Sequence, residues 1–333
     1  MRNSKITGVG RYLPEKVVTN DDLAQMMDTS DEWIRERSGI EERRFFELGK
    51  DTTANMGTRA ALMALKNAGL QPDDVDFIVF ATLSPDYDFP GSGVLVQREL
   101  GIREVGALDV RTQCTGFIYG LSVADQFIKT GMYDTVLVIG SEIHSSGLDL
   151  TTRGRGVSVL FGDGAGAVVL QATEEKDRGI LSTHLHSEGK YAEELAVLDV
   201  GSSRSIPRMK PEMIEQGTIF PIMNGNYVFK HASTRFPEAV MEALDKNGYM
   251  PEDLNLLIPH QANLRISQMV QKQLNLRDDQ VFNNIMKYGN TTAASIPIAM
   301  SEAWEQGKIN EGNLICLAAF GSGFTWGSAL MRW

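Results

Sequence analysis

Cysteine is scarce in this chain, with only Cys114 and Cys316 among 333 residues. Two thiols cannot staple a disulfide scaffold. Neither lies in a Cys-x-x-Cys pair or beside spaced histidines, so disulfide-rich and zinc-finger classes are excluded. Long apolar runs are also missing. The longest, residues 77–81 and 136–139, fall far short of the roughly 18 residues of a membrane helix, which excludes an integral membrane protein. Positive charge is in deficit, 32 Lys and Arg against 43 Asp and Glu, for a net charge of −11. General nucleic-acid binding needs many neutralised phosphates, so this balance argues against it while leaving room for a local basic patch. The basic residues at the N-terminus are followed by no apolar stretch, so a cytoplasmic location is expected.

What is present is 42% hydrophobic and 23% charged, a globular composition with length for about two domains of roughly 150 residues. An internal repeat explains the number. Ala64, Leu65, Gly69, Pro72 and Asp74 recur as Ala243, Leu244, Gly248, Pro251 and Asp253, at a constant offset of 179. Each copy reads as an amphipathic helix stopped by glycine, a proline-acidic turn and a buried strand. A second pair follows: a helix over 117–129 with a strand over 135–139, and a helix over 296–306 with a strand over 313–318. The pattern predicts a duplicated α/β unit whose strands are buried on both faces. The strand at 165–170 gives way to the charged run 174–177, so the halves are drawn as 1–172 and 173–333. Weak periodicity over about 182–226 suggests an insertion that covers a site.

Cys114 falls between an extended segment and the helix at 117–129. A helix N-terminus favours thiolate over thiol, so position alone fits a nucleophile or a small buried core thiol equally well. Cys316, flanked by apolar strand residues, reads as core. His260 ends the strand at 254–258, where parallel sheets place their ligands. His144, His184, His186 and His231 have no evident partner and read as structural or solvated. Asn290 alone reads as a cap or turn residue. Arg35, Arg37, Arg43 and Arg44, balanced by Glu36, Glu41 and Glu42, read alone as a solvated helix face. The glycine clusters at 162–166 and 321–327 lie between strand-like segments, which rejects both phosphate-loop and dinucleotide motifs and leaves tight turns near a ligand.

Four motifs in order then resemble one family: Gln113-Cys114-Thr115, Pro259-His260-Gln261-Ala262-Asn263, Gly289-Asn290-Thr291-Thr292, and Phe320-Gly321-Ser322-Gly323-Phe324. Over about 6–333 the chain resembles β-ketoacyl-acyl-carrier-protein synthase III. The resemblance implies the thiolase fold, two α-β-α-β-α halves in a five-layered sandwich, as a homodimer. It implies an acyl-CoA primer loaded on Cys114, then decarboxylation of malonyl-acyl-carrier protein with His260 and Asn290 holding the enolate. The backbone N–H groups of Cys114 and Ser322 are implied as the oxyanion hole. Trp33, Arg37, Arg155 and Gly156 match CoA-binding positions; Arg265, Lys272 and Lys287 are placed to meet the acidic carrier protein; Phe89 matches a residue that closes the partner's primer pocket. No metal or organic cofactor is implied, because loss of CO₂ generates the carbanion.

The chain departs from the family at several points. Ser322 replaces the middle of a usual triple glycine, Gln113 and Thr115 flank the cysteine where Ala and Ser are common, and Gly91-Ser92-Gly93 and Glu142-Ile143-His144 are unlike acetyl-primed members. These differences point to a longer or branched primer. A degradative thiolase would carry a second reactive cysteine where Phe320 stands. Alternatives that share the Cys-His-Asn set are chalcone-synthase-like and head-to-head condensing enzymes, and a synthase of specialised metabolism using a longer acyl-CoA. A non-condensing acyltransferase or a non-catalytic partner would leave His260 and Asn290 without a task.

Overall fold

The apolar strands anticipated from the sequence pair into two mixed sheets. The computed structural model describes residues 2–333. Its strands are β1 (Asn3–Tyr12), β2 (Lys16–Thr19), β3 (Glu42–Phe45), β4 (Phe77–Ala81), β5 (Gly106–Val110), β6 (Thr135–Glu142) and β7 (Gly164–Thr173), then β8 (Gly179–Ser187), β9 (Leu195–Ala196), β10 (Ile222–Met223), β11 (Leu256–Pro259), β12 (Leu314–Gly321) and β13 (Thr325–Arg332). One sheet has the order β1-β7-β6-β4-β5 and the other β11-β12-β13-β8. In the first, β4 is parallel to β5 and β6, and β7 is antiparallel to β6 and β1. In the second, β11 is parallel to β12, and β13 is antiparallel to β12 and β8. Strand β12 lies 179 residues after β6 over its whole length, so the sheets repeat one plan.

Side-chain alternation along β6 explains the layering. Val136 and Val138 enter a core shared with Phe117, Leu121 and Ile128 of helix Gly116–Lys129, Ile296 and Met300 of helix Ser295–Glu305, and Ile315 and Leu317 of β12. Leu137 and Ile139 point the other way, against Ala60, Ala64 and Leu65 of helix Thr53–Ala68. Across the molecule, Leu257, Cys316 and Leu330 meet Phe236, Val240 and Leu244 of helix Gly225–Asn247. Two central helices thus lie between two sheets, with further helices outside each: five layers, the thiolase fold. Each fully buried aliphatic or aromatic side chain in these layers contributes about 1.5–3 kcal/mol. Cys316 is fully buried here, a core residue. No helix among the described residues is long and apolar enough to cross a membrane.

Several local expectations need correction. The excursion in the second half begins at residue 188, because β8 runs through Ser187 and pairs with β13 over residues read as irregular. The glycines at 162–166 face no ligand cavity: Gly164 and Gly166 lie inside β7, and a Cβ on Gly166 would stand 2.6 Å from the backbone nitrogen of Ile298. That close approach seats helix Ser295–Glu305 on the first sheet. Arg43 and Arg44 belong to β3, not to a helix face. Helix Asp31–Ser38 ends at Gly39, with φ 78°, and the Arg43 guanidinium is buried, donating to Asn20 and to the carbonyls of Val18 and Val159.

Candidate active site

A strained turn presents Cys114. Gln113 has φ 47°, which side chains other than glycine rarely adopt, and a single 3₁₀ turn, Gln113–Thr115, then feeds helix Gly116–Lys129. Thr115 braces it, donating to the Thr112 carbonyl at 2.8 Å and sharing a hydrogen bond with Thr325 at 2.8 Å. The loop after β12 arches over the sulfur. A Cβ on Gly321 would meet Cys114 Cβ at 2.5 Å and Sγ at 3.0 Å, so only glycine lets the loop come this close. The backbone N–H groups of Ser322 and Cys114 and the Thr292 hydroxyl are the donors on the sulfur's side of the pocket that favour its anionic form. Ser322 is not among the three non-glycine residues with positive φ in the described chain, so serine fits this loop without a left-handed backbone. Its hydroxyl donates to the Leu195 carbonyl and ties the loop to β9.

The helix N-terminus alone predicted a thiolate, and here burial overrides it. Burial pushes the Cys114 thiol up to about 12, and the Glu142 carboxylate adds to the push. Glu142 is itself pushed up to about 7 by burial, against hydrogen bonds from Ser84, Leu83, Thr82 and Ala293. The thiol is therefore neutral in the closed pocket, and anionic sulfur depends on the donors gathered around it.

His260 leaves the end of β11 with its backbone N–H donating to the Ala318 carbonyl at 2.8 Å. Its Nδ1 lies 2.6 Å from the Ser295 hydroxyl, while Nε2 is buried with no partner among the described residues. Ser295 Oγ also accepts the Gln261 N–H, at 3.4 Å. With the Ser295 hydroxyl donating to Nδ1, Nε2 carries the ring proton and has it free to donate. Burial, and then the neighbouring His144, hold His260 down to about 3, so the ring is neutral. Asn290 Oδ1 accepts the Thr292 N–H at 2.8 Å, and its Nδ2 makes no hydrogen bond among the described residues. Two unspent donors thus stand by one sulfur.

Cys114 borders two cavities. One, of about 370 Å³, is lined by Trp33, Arg37, Gly156, Arg265, His260 and Asn290. The Trp33 ring has the Arg37 guanidinium at 4.3 Å and that of Arg155 at 5.1 Å. The four candidate CoA residues therefore cluster with the triad. The other cavity, of about 720 Å³, is lined by Leu83, Ile143, Leu148, Phe161 and Leu195 among others. Its polar members include His144 and Thr292, which the sequence reading left structural or unremarked.

The remaining candidates separate. Lys272 is exposed on helix Leu264–Gln273, two turns beyond Arg265. Lys287 is half-exposed, turns its ammonium to Glu302 at 3.3 Å and lines neither cavity. Phe89 is 84% exposed and lines neither cavity, although Tyr87, two residues before it, lines the larger one. Ser295, Thr292 and Gly321 were legible only as positions within motifs; His260 and Cys114 carry the stronger residue-type signal.

Comparison with known proteins agrees with this geometry. Two profiles match, 3-oxoacyl-(acyl-carrier-protein) synthase III over residues 108–189 and its C-terminal counterpart over 244–333. The chain is 47% identical over 330 residues to the β-ketoacyl-acyl-carrier-protein synthase III of Xanthomonas campestris, covering 99% of this chain and 98% of that protein. The solved 3-oxoacyl-acyl-carrier-protein synthase III of Aquifex aeolicus superposes with TM-score 0.90 at 44% identity, covering 99% and 100%. A priming β-ketosynthase of a polyketide pathway superposes with TM-score 0.89 at 31% identity, covering 99% and 96%.

Proposed function

The chain belongs to the β-ketoacyl-acyl-carrier-protein synthase III family, acyltransferases that carry out the condensation initiating fatty-acid synthesis, and from that premise we propose that it works through an acyl-Cys114 intermediate. The Cys114 thiol loses its proton and attacks the thioester carbon of an acyl-CoA as thiolate, and the CoA thiolate that leaves takes up that proton through water. Malonyl-acyl-carrier protein then binds in the emptied tunnel and loses CO₂. His260 Nε2–H and Asn290 Nδ2–H donate to the enolate oxygen, the enolate carbon attacks the acyl-Cys114 carbonyl, and Cys114 is returned as thiolate. Backbone N–H groups of Cys114 and Ser322 hold the tetrahedral oxyanions, each donor worth about 2.7–4 kcal/mol in comparable sites. Carbanion formation comes from decarboxylation, so this route calls for no metal or organic cofactor.

The observation that carries this reading is the sharing of one sulfur by two cavities, with unspent His260 and Asn290 donors on one side. The narrower cavity, with two arginines against the Trp33 ring, suits the adenine and phosphates of CoA, with Gly156 at its wall. Arg265 and Lys272 on one exposed helix suit an acidic carrier protein. Exposed Phe89 and the unpaired edge of β5 suit a homodimer in which each Phe89 closes the partner's primer pocket. A cytoplasmic enzyme fits the substrates.

The larger cavity favours a second reading on primer size. In the single chain it measures about 720 Å³, the size that encloses a drug-sized ligand. The partner's Phe89 would take up part of that space in the proposed dimer, so this volume is the upper bound within which a primer longer than acetyl, and with it a role in specialised metabolism, would fit. The test supplies the protein with malonyl-carrier protein and acyl-CoAs of two to twelve carbons, and reads the carrier by intact mass. β-Ketoacyl-carrier product is expected, with medium chains preferred over acetyl; acyl transfer to the carrier without condensation would establish the non-condensing acyltransferase instead.

A further inference from the structure

A second buried histidine, His144, is hydrogen-bonded to the Thr292 hydroxyl at the wall of the cavity that also holds Cys114. His144 follows β6 and is 8% exposed; its ring lies 4.8 Å from the Phe161 ring. Its Nε2 is 2.7 Å from Thr292 Oγ1. Thr292 and Cys114 line the same cavity, which brings that hydroxyl to the side of the sulfur, where it favours the thiolate. Thr292 reaches this place on a backbone with φ 48°, a conformation that β-branched residues seldom take. Neither half of the proposed reaction uses His144 or the Thr292 side chain.

The direction of these hydrogen bonds follows from what a thiolate can accept. Anionic sulfur has no proton to give, so when it forms, Thr292 must donate its O–H to it. The hydroxyl oxygen then takes a donor on its other side, and the group there is His144 Nε2. We propose that His144 Nε2–H, Thr292 Oγ–H and Cys114 Sγ form a donor chain that stabilises the Cys114 thiolate, with His144 as a positioning residue for the Thr292 hydroxyl. No proton moves along it: imidazole and hydroxyl stay neutral, and the chain adds a third donor to the two backbone N–H groups at the sulfur. A neutral ring is what the burial of His144 maintains. Other charged or titratable groups face the same space. Glu142, at the end of β6, opposes the thiolate; His260, beyond β11, is neutral; and Asp163 is spent accepting the backbone N–H of His144 and of Ser145.

The test is the rate of Cys114 alkylation by iodoacetamide between pH 7 and 10, read by intact mass, which does not depend on the enzyme's substrates. A hydrogen bond to a charged acceptor is worth about 1.5–3 kcal/mol, or one to two pH units of thiol acidity. Because a less acidic thiol is intrinsically more nucleophilic, the net slowing is about three- to tenfold. His144→Leu and Thr292→Val should each slow Cys114 by that amount, and the double variant should slow it no further. His144→Gln, whose amide can donate at the same reach, and Thr292→Ser should restore most of the rate. A general loosening of the fold would act in the opposite sense, speeding both Cys114 and the buried Cys316. A His144→Leu protein with wild-type or faster Cys114 alkylation, or additive single variants, would overturn the donor chain. So would a His144→Gln protein as slow as His144→Leu. The alkylation result stands or falls independently of the condensation reading, on which only the catalytic use of the thiolate rests.

Discussion

Gln113 and Thr292 stand 179 residues apart and hold the same left-handed turn, with φ 47° and 48°. Each opens a 3₁₀ turn that leads into one of the two central helices, Gly116–Lys129 and Ser295–Glu305. The duplicated fold has therefore kept one strained element twice and used it differently. In the first half it lifts Cys114 to the junction of two cavities; in the second it sets the Thr292 hydroxyl on His144 and its backbone N–H on Asn290.

The strain at Gln113 gives a prediction in which stability and activity move apart. A left-handed backbone costs an L-residue about 1–2 kcal/mol, partly offset in a Gly variant by the greater freedom of the unfolded chain. Gln113→Gly should therefore raise the melting temperature by about 1–3 °C while slowing acyl loading, because the turn that fixes the sulfur becomes softer. A lower melting temperature would show that the Gln113 side chain stabilises the turn.

Gly321→Ala probes the loop over the sulfur. The new methyl would lie 2.5 Å from Cys114 Cβ, so the loop must move and take the Ser322 N–H with it. A displacement of about 1 Å at such a donor costs about 100-fold in rate. Circular dichroism should be unchanged and acyl loading should fall by about that factor. Near-normal loading would mean that the Ser322 N–H is not an oxyanion donor.

Decarboxylation should separate His260 from its support. His260→Ala should lower malonyl-carrier decarboxylation by about 10²–10³-fold, the loss of one preorganised donor, while Cys114 remains open to alkylation. Ser295→Ala removes the group that fixes the tautomer and should cost about tenfold. Equal losses in both would indicate that Ser295 itself touches the enolate.

Acid stability reports the two buried imidazoles. His144 and His260 remain neutral in the fold down to about 3, whereas unfolded histidine takes up its proton near 6.5. The unfolded chain thus binds more protons below pH 6.5, and the stability each neutral ring contributes is lost as pH falls toward 3, by about 1.4 kcal/mol per pH unit per ring. Glu142, protonated in the fold up to about 7 but only to 4.5 when unfolded, cancels one of them between 4.5 and 6.5. Urea unfolding of His144→Leu should show an acid limb shallower by about 1.4 kcal/mol per pH unit. An unchanged slope would mean that His144 is charged in the folded protein.

Much of this architecture was legible because it rests on periodicity and punctuation. Helices closed by Gly69 and Gly248 and strands alternating as at Val136 to Ile139 follow from local chemistry, and the offset of 179 exposes the repeat. Cys114, His260 and Asn290 could be picked from residue type and place, and resemblance supplied their roles. What the sequence concealed depends on contacts between distant segments. His144 looked idle until Thr292, 148 residues away, was folded against it. Arg43 looked solvated until β3 turned it inward, and the glycines at 162–166 looked like a ligand loop until helix Ser295–Glu305 packed on them. The thiol's acidity was misjudged for the same reason: a helix terminus is visible in sequence, but the burial and the Glu142 charge that outweigh it are not.

An acyl group carried on Cys114 is tested most directly by intact mass measured after brief exposure to an acyl-CoA, followed by peptide mapping. One added acyl group per chain is expected, mapped to the peptide holding Cys114, absent in Cys114→Ala and discharged when malonyl-carrier protein is added. Acylation that persists in Cys114→Ala, or an acyl-enzyme that malonyl-carrier protein leaves intact, would contradict an acyl-Cys114 intermediate.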